Sequence, residues 1–124
     1  MDDQEIYSII GEDGFRQLTA AFYRRVPLDD ILGPMYANED LNGAEERLRD
    51  FLIFRFGGPS RYLESRGHPR LRMRHMPFVI DLEARNRWME TMNAAMAECQ
   101  LPADINDVLR RFFDGTSTFM INQR

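Results

Sequence analysis

The chain has 124 residues, a formal net charge of −4 and 44% hydrophobic residues. With no Gly-, Ser- or Pro-rich linker, that is material for one domain over residues 1–124 with one hydrophobic core. Net acidity speaks against a nucleic-acid binder, and the longest apolar runs fall far short of a membrane span. The acidic start "MDDQEIYSII" does not read as a secretory signal, and a single cysteine, Cys99, leaves no disulfide framework, which fits a reducing cytoplasm.

Nearly every segment repeats its apolar residues at the helical period, and none alternates as a strand does. A short helix is expected over 3–10, ending near Gly11. Phe15, Leu18, Phe22 and Val26 then mark a helix from Gly14 that Pro27 stops. The stretch "LDDILGPMY" reads as a loop or single turn around Gly33 and Pro34. Asn42 with Glu45 three residues on resembles a capping box that opens a helix bearing Ala44, Leu48, Phe51 and Leu52 on one face. Gly57–Gly58–Pro59 ends it, and residues 59–67 read as irregular. Pro69 suits a first helical position and Pro77 a stop near Met76. Asp81 is placed to cap a long helix through Glu98, with Trp88, Met92, Ala95 and Met96 inward. Pro102 introduces a last helix bearing Ile105, Val108, Leu109, Phe112, Thr116 and Phe119. The expected fold class is all-α.

One stretch concentrates unusual chemistry. "GHPRLRMRHMPF", residues 67–78, holds both histidines of the chain and three of its sixteen basic residues, all of which are arginine. If 69–76 is helical, Leu71 and His75 share one face, apolar apart from the imidazole, and Arg70, Arg72 and Arg74 project around the sides. An imidazole on an apolar face beside guanidiniums suits a flat apolar ligand with a metal centre and anionic edge groups. Haem has that form, with the imidazole on iron and arginines on the propionates. The carbonyl of Leu71, one turn back, is placed to orient the other ring nitrogen. His68 precedes a proline outside the helix and reads as a cap or packing residue. The same arginines also suit an anion or nucleic-acid surface, and a histidine at a helix end is often only a cap. Two histidines seven apart without cysteines match no structural zinc spacing.

Taken with its surroundings, the chain resembles the truncated haemoglobins of group II along nearly its whole length. The likeness rests on "AAFYRR" (20–25), "MY" (35–36), "LNGAEERLRDFL" (41–52), "FGGPSRYLESRGHPRLRMRHMPF" (56–78) and "RNRWMETM" (85–92). The resemblance implies a shortened globin fold, two helices over two, with haem b (iron protoporphyrin IX) between them and His75 as proximal iron ligand. It aligns Tyr23, Tyr36 and Trp88 with polar distal residues; two phenols and an indole are the donors a dioxygen ligand requires. Ala44 falls where longer globins place a distal histidine, so its small side chain leaves a route for small ligands. Leu48 and Phe51 are implied to line the same pocket, as are Leu71 and Phe78 on the proximal side. Arg74 and Arg47 are the first candidates for the propionates, with Arg72 and Tyr62 behind them. One departure is evident. The family often has a glycine pair between its first two helices as well as after the distal helix, and here the first position reads Gly11–Glu12.

The implied function is reversible binding of dioxygen and other diatomic ligands such as CO or NO, as a store, scavenger or sensor. The alternative on the same haem is a redox enzyme, a nitric oxide dioxygenase or a peroxidase-like detoxifier, served by an external reductase. Three donors around one ligand favour slow release and hence redox chemistry. Neither a nucleic acid nor a membrane is an expected partner, and the assembly is expected to be a monomer or a homodimer.

Overall fold

Gly11 sets the first bend of the chain. The computed structural model describes residues 2–123 and opens with a 3-10 turn at Asp3–Glu5, followed by helix α1 (Ile6–Arg25). Inside α1, Gly11 takes φ +70° and ψ −179°, a backbone conformation that side-chain-bearing L residues rarely adopt. The short helix expected over 3–10 and the longer one from Gly14 therefore meet at a kink made by one glycine. The neighbouring position needs no second glycine. There Glu12 binds Arg16 at 3.0 Å within α1 and reaches Arg61 further along the chain.

A 3-10 turn at Val26–Leu28, built around Pro27, ends α1. The remaining helices are α2 (Leu32–Met35), α3 (Leu41–Arg55), α4 (Arg61–Arg66), α5 (Leu71–His75), α6 (Leu82–Cys99) and α7 (Ala103–Phe119), with no strand among the described residues. Helix α1 packs on both α3 and α6, and α6 packs on α7, which makes two helical pairs, α1/α3 and α6/α7. The seam between them is filled by Leu18 and Phe22 of α1, Leu52 of α3, Met92 and Met96 of α6, and Ile105 and Leu109 of α7, none more than 2% exposed. Each such side chain contributes about 1.5–3 kcal/mol by leaving water, so this seam is the main source of stability. No described helix is long and apolar enough to cross a membrane.

Three local expectations are corrected. Helix α3 begins at Leu41 with Asp40 as its N-cap, so Asn42 and Glu45 are already helical and form no capping box. Residues 61–66 are helical rather than irregular; with only Tyr62 buried, so short a helix carries no readable period. Pro69 lies outside α5, because Arg70 at its N-cap sits in the left-handed region at φ +42°. Phe119, the last residue of α7, is 62% exposed. The cap at Asp81 is as expected: its carboxylate accepts from the Ala84 N–H at 2.8 Å.

The turn after α3 ties the start of the chain to its middle. Gly57 has φ +100°, and a Cβ there would sit 2.0 Å from the Gln4 carbonyl oxygen. That close approach lets the Gln4 amide donate to Arg55 O at 2.9 Å and the Tyr7 N–H donate to Phe56 O at 3.0 Å.

Candidate functional site

Between the two helical pairs lies a cavity of about 440 Å³, within the range of small-molecule and cofactor sites. Its lining is mainly apolar. Tyr23, Tyr36, Ala44, Arg47, Leu48, Phe51, Tyr62, Leu71, Arg74, His75, Phe78 and Trp88 all face it, drawn from six segments of the chain. Among the residues named on sequence grounds, Arg72 is the one that does not. Its Nε donates to Phe119 O at 3.2 Å and its Nη2 to Ile121 O at 3.4 Å. One residue past Leu71 on a helix is a rotation of about 100°, and that carries the guanidinium away from the cavity toward the end of the chain.

The imidazole is fixed by its own helix. His75 Nδ1 lies 2.6 Å from the carbonyl oxygen of Leu71; that oxygen can only accept, so Nδ1 carries the proton and Nε2 is left as the free lone pair. Nε2 enters no hydrogen bond among the described residues. His68 does something different. It is exposed, and its Nδ1 accepts from the Arg70 backbone N–H at 3.1 Å, just ahead of α5.

Sequence reasoning missed what holds α5 in place. After α7 the chain returns along residues 72–80, where Asn122 Oδ1 accepts from Ile80 N–H at 2.9 Å and Asn122 Nδ2 donates to Phe78 O at 2.9 Å and His75 O at 3.4 Å. The Asn122 N–H also donates to Ile80 O at 2.9 Å. With the two Arg72 bonds, the C-terminal segment clamps the stretch that carries His75. No periodic or motif signal marks an asparagine beyond the last helix.

The polar end of the cavity is built from α1, α6 and the residue after α2. The Tyr23 and Tyr36 rings meet edge to face at 6.0 Å, and the Trp88 ring is wedged between Phe22 at 5.1 Å and Phe113 at 5.5 Å. Burial pushes both phenols well above their usual range, so both stay protonated as donors. Tyr36 in turn is held from below. Asp29 Oδ2 accepts from the Leu32 N–H at 2.7 Å and the Ile31 N–H at 2.9 Å, starting α2, and Arg87 on α6 donates to Asp29 Oδ1 at 2.6 Å. Burial works against the Asp29 carboxylate, but these bonds outweigh it and hold its pKa below the ordinary range. Helix α6 thus carries Trp88 and, at the preceding residue, the arginine that anchors the turn bearing Tyr36.

Guanidiniums from α3, α4, α5 and α6 also face the cavity. Arg66 and Arg85 join Arg47 and Arg74 in the lining, two positions that sequence reasoning did not single out. Arg74 and Arg85 each keep a buried Nε–H without a partner among the described residues. A buried donor left unpaired costs about 1–3 kcal/mol, so these two groups ask for an acceptor. The set fits a haem: an apolar slot, one imidazole with a free lone pair, and cationic donors for acidic edge groups.

The sequence profile of the bacterial-like globins matches residues 5–122. The chain belongs to the bacterial-like globin family, as a truncated haemoglobin of group II. This globin is 37% identical over 117 residues to group 2 truncated hemoglobin YjbI of Bacillus subtilis (strain 168), covering 94% of this chain and 88% of that protein. Among solved structures it superimposes on a thermostable hemoglobin of the actinobacterium Thermobifida fusca with a TM-score of 0.90, at 45% identity and 98% coverage of each chain. It also matches the truncated oxygen-avid haemoglobin of Bacillus subtilis with a TM-score of 0.89, at 36% identity over 94% of this chain and 98% of that one. The two-over-two globin arrangement expected from the resemblance is the fold of this globin, and its activity is haem-based ligand binding.

Proposed function

We propose that this globin holds haem b through His75 and uses it to bind dioxygen reversibly, with CO and NO as competing ligands. The observation that carries the reading is the state of His75: Nδ1 is committed to Leu71 O, which leaves Nε2 as a lone pair in an apolar cavity. Among the described residues no cluster of three or more His, Cys, Asp or Glu could hold a metal ion, so a metal taken by His75 draws its other ligands from a cofactor. When bound, the haem supplies a ferrous iron able to take a diatomic gas. The chain's own residues do the rest. Leu71 O fixes the ring's tautomer and raises its donor strength, and Asn122 and Arg72 steady the segment that carries it. Arg47, Arg66, Arg74 and Arg85 offer cationic donors to the two propionates, while Leu48, Phe51, Tyr62 and Phe78 exclude water from the faces of the ring. Tyr23, Tyr36 and Trp88 present hydrogens to the ligand space, a preorganised set that favours a ligand carrying partial negative charge.

That last feature favours a second reading, redox detoxification of nitric oxide or peroxide on the same site, because three donors slow the release of dioxygen and lengthen its residence for reaction. The description of one solved relative as oxygen-avid is in keeping with such retention. Absorption spectra of the purified chain, of His75→Ala and of His68→Ala test the core of the proposal. The parent and His68→Ala are expected to show a Soret band of equal position and intensity, and His75→Ala to lose or displace it. The reverse pattern refutes the assignment. A dioxygen dissociation rate as fast as that of a freely exchanging carrier removes the redox reading.

A further inference from the structure

Ion pairing is uneven over this surface. Nine arginines, on α1, α3, α4, α6 and α7, face a carboxylate, while Arg47 and Arg111 stand singly without one among the described residues. Those at 66, 70, 72 and 74 face none among the described residues: Arg72 and Arg74 donate to backbone carbonyls, and the Arg66 and Arg70 side chains make no hydrogen bond. The sequence supplies no acidic residue between Glu64 and Asp81 to neutralise them. In the middle of this basic stretch the outer side of α5 exposes apolar surface, with Met73 58% and Met76 54% accessible. Met76 Sδ lies 3.9 Å from Arg72, which also holds the carbonyl of the exposed Phe119, so the apolar residues and the arginines form one face.

We propose that this face, Met73 and Met76 framed by Arg70 and Arg72, docks an acidic electron-carrier protein. The inference rests on the haem reading for its purpose and on charge for its partner. Two propionates can engage only guanidiniums that line the cavity. Arg70 and Arg72 lie outside that lining and stay unneutralised when the cofactor is seated. An apolar centre of methionine with a rim of arginine is the composition of a protein interface rather than of a phosphate-backbone site. A second copy of the chain placed symmetrically here would set arginine against arginine, so the complementary surface is that of an acidic partner. The location gives such a partner a task. One helix, about 10 Å across, separates this face from the His75 ring, and a ferric iron must gain one electron, lost by the carrier, before it can again bind dioxygen.

The test uses the haem-loaded chain and a reduced plant-type [2Fe–2S] ferredoxin, an acidic carrier, in stopped flow, with calorimetric titration of oxidised ferredoxin into the chain alongside. Reduction is expected to slow at least about tenfold between low salt and roughly 0.3 M salt, as steered encounters do. The double variant Arg70→Glu/Met73→Glu is expected to lose at least about tenfold of the low-salt rate and to weaken binding by a similar factor, with an unchanged Soret band and unchanged reduction by dithionite. Arg111→Glu, on the outside of α7, leaves all of these as they were. Salt-independent reduction, a double variant as fast as the parent, or an equal loss in Arg111→Glu overturns the proposal. So does a single-stranded RNA that displaces ferredoxin at lower concentration than ferredoxin binds. Titrating ferredoxin into the haem-free chain reports the face without the iron. A chain that takes up no haem yet binds ferredoxin through Arg70 and Met73 therefore defeats the haem reading and not this one.

Discussion

Replacing Asn122 by alanine removes one side chain from the end of the chain and is felt at the site. Two bonds of 2.9 Å, to Ile80 N–H and Phe78 O, and a longer one of 3.4 Å to His75 O are lost together. At about 1 kcal/mol net for each of the two well-formed bonds, the variant loses about 2 kcal/mol. For a chain of 124 residues that lowers the melting temperature by about 6–10 °C. The melt is followed by far-ultraviolet circular dichroism on the haem-free chain, where no cofactor masks the loss. In the loaded protein, the iron–histidine stretching frequency is expected to broaden and haem transfer to an apomyoglobin acceptor to accelerate, because the segment bearing His75 is less fixed. Asn122→Asp keeps the acceptor for Ile80 but turns a carboxylate toward two carbonyl oxygens, so at neutral pH it is expected to be at least as destabilising. A melting point within about 2 °C of the parent, with an unchanged iron–histidine band, refutes the clamp.

Other outcomes follow from the same geometry. Tyr36→Phe and Trp88→Phe each remove one donor from the ligand space and are expected to raise the dioxygen dissociation rate about tenfold, the kinetic equivalent of about 1.4 kcal/mol, measured by CO replacement. Ala44→Trp is expected to slow ligand association in flash photolysis, since it fills the one small lining position on α3. Gly57→Ala must push a methyl group onto Gln4 O and hold alanine at φ +100°, and is expected to cost more than about 2 kcal/mol; Gly115→Ala, in open space on α7, is expected to gain about 0.5–1 kcal/mol. Asp29 has a lowered pKa in the fold, so its contribution is complete above the ordinary carboxylate range and is lost as pH falls through the lower folded value. The acid side of the stability curve is therefore expected to be shallower in Asp29→Asn, and its dioxygen release faster, because Tyr36 loses its support.

The long helices could be read from sequence because each buries a stripe wide enough to repeat. Phe15, Leu18 and Phe22 on α1 and Met92 and Met96 on α6 recur at three and four residues and are all buried. Helix α4 could not, since six residues with one buried side chain have no period. The start of α5 was misplaced for a different reason: Pro69 is an acceptable first helical residue, but Arg70 takes a left-handed conformation that no local preference foretells. At the site, spacing put Leu71 and His75 on one face and thereby anticipated the hydrogen bond between them. Resemblance brought in Tyr23, Tyr36 and Trp88, which lie far apart in sequence and meet only in the fold. Arg72 stands one residue past Leu71, and that rotation of about 100° turns it from the cavity to the chain's end. Asn122, Arg66 and Arg85 depend wholly on how distant segments pack, and nothing in their own neighbourhoods marks them.

The cavity also bears on how the chain lives before it meets its cofactor. A core that leaves a slot of about 440 Å³ forgoes the packing contacts that a filled interior makes. The newly made polypeptide is thus less stable than the filled one, because whatever fills the slot adds its binding free energy to that of the fold. Abundance of the mature globin in a cell should then follow haem supply as much as gene expression, with unfilled chains cleared by proteases while filled ones persist.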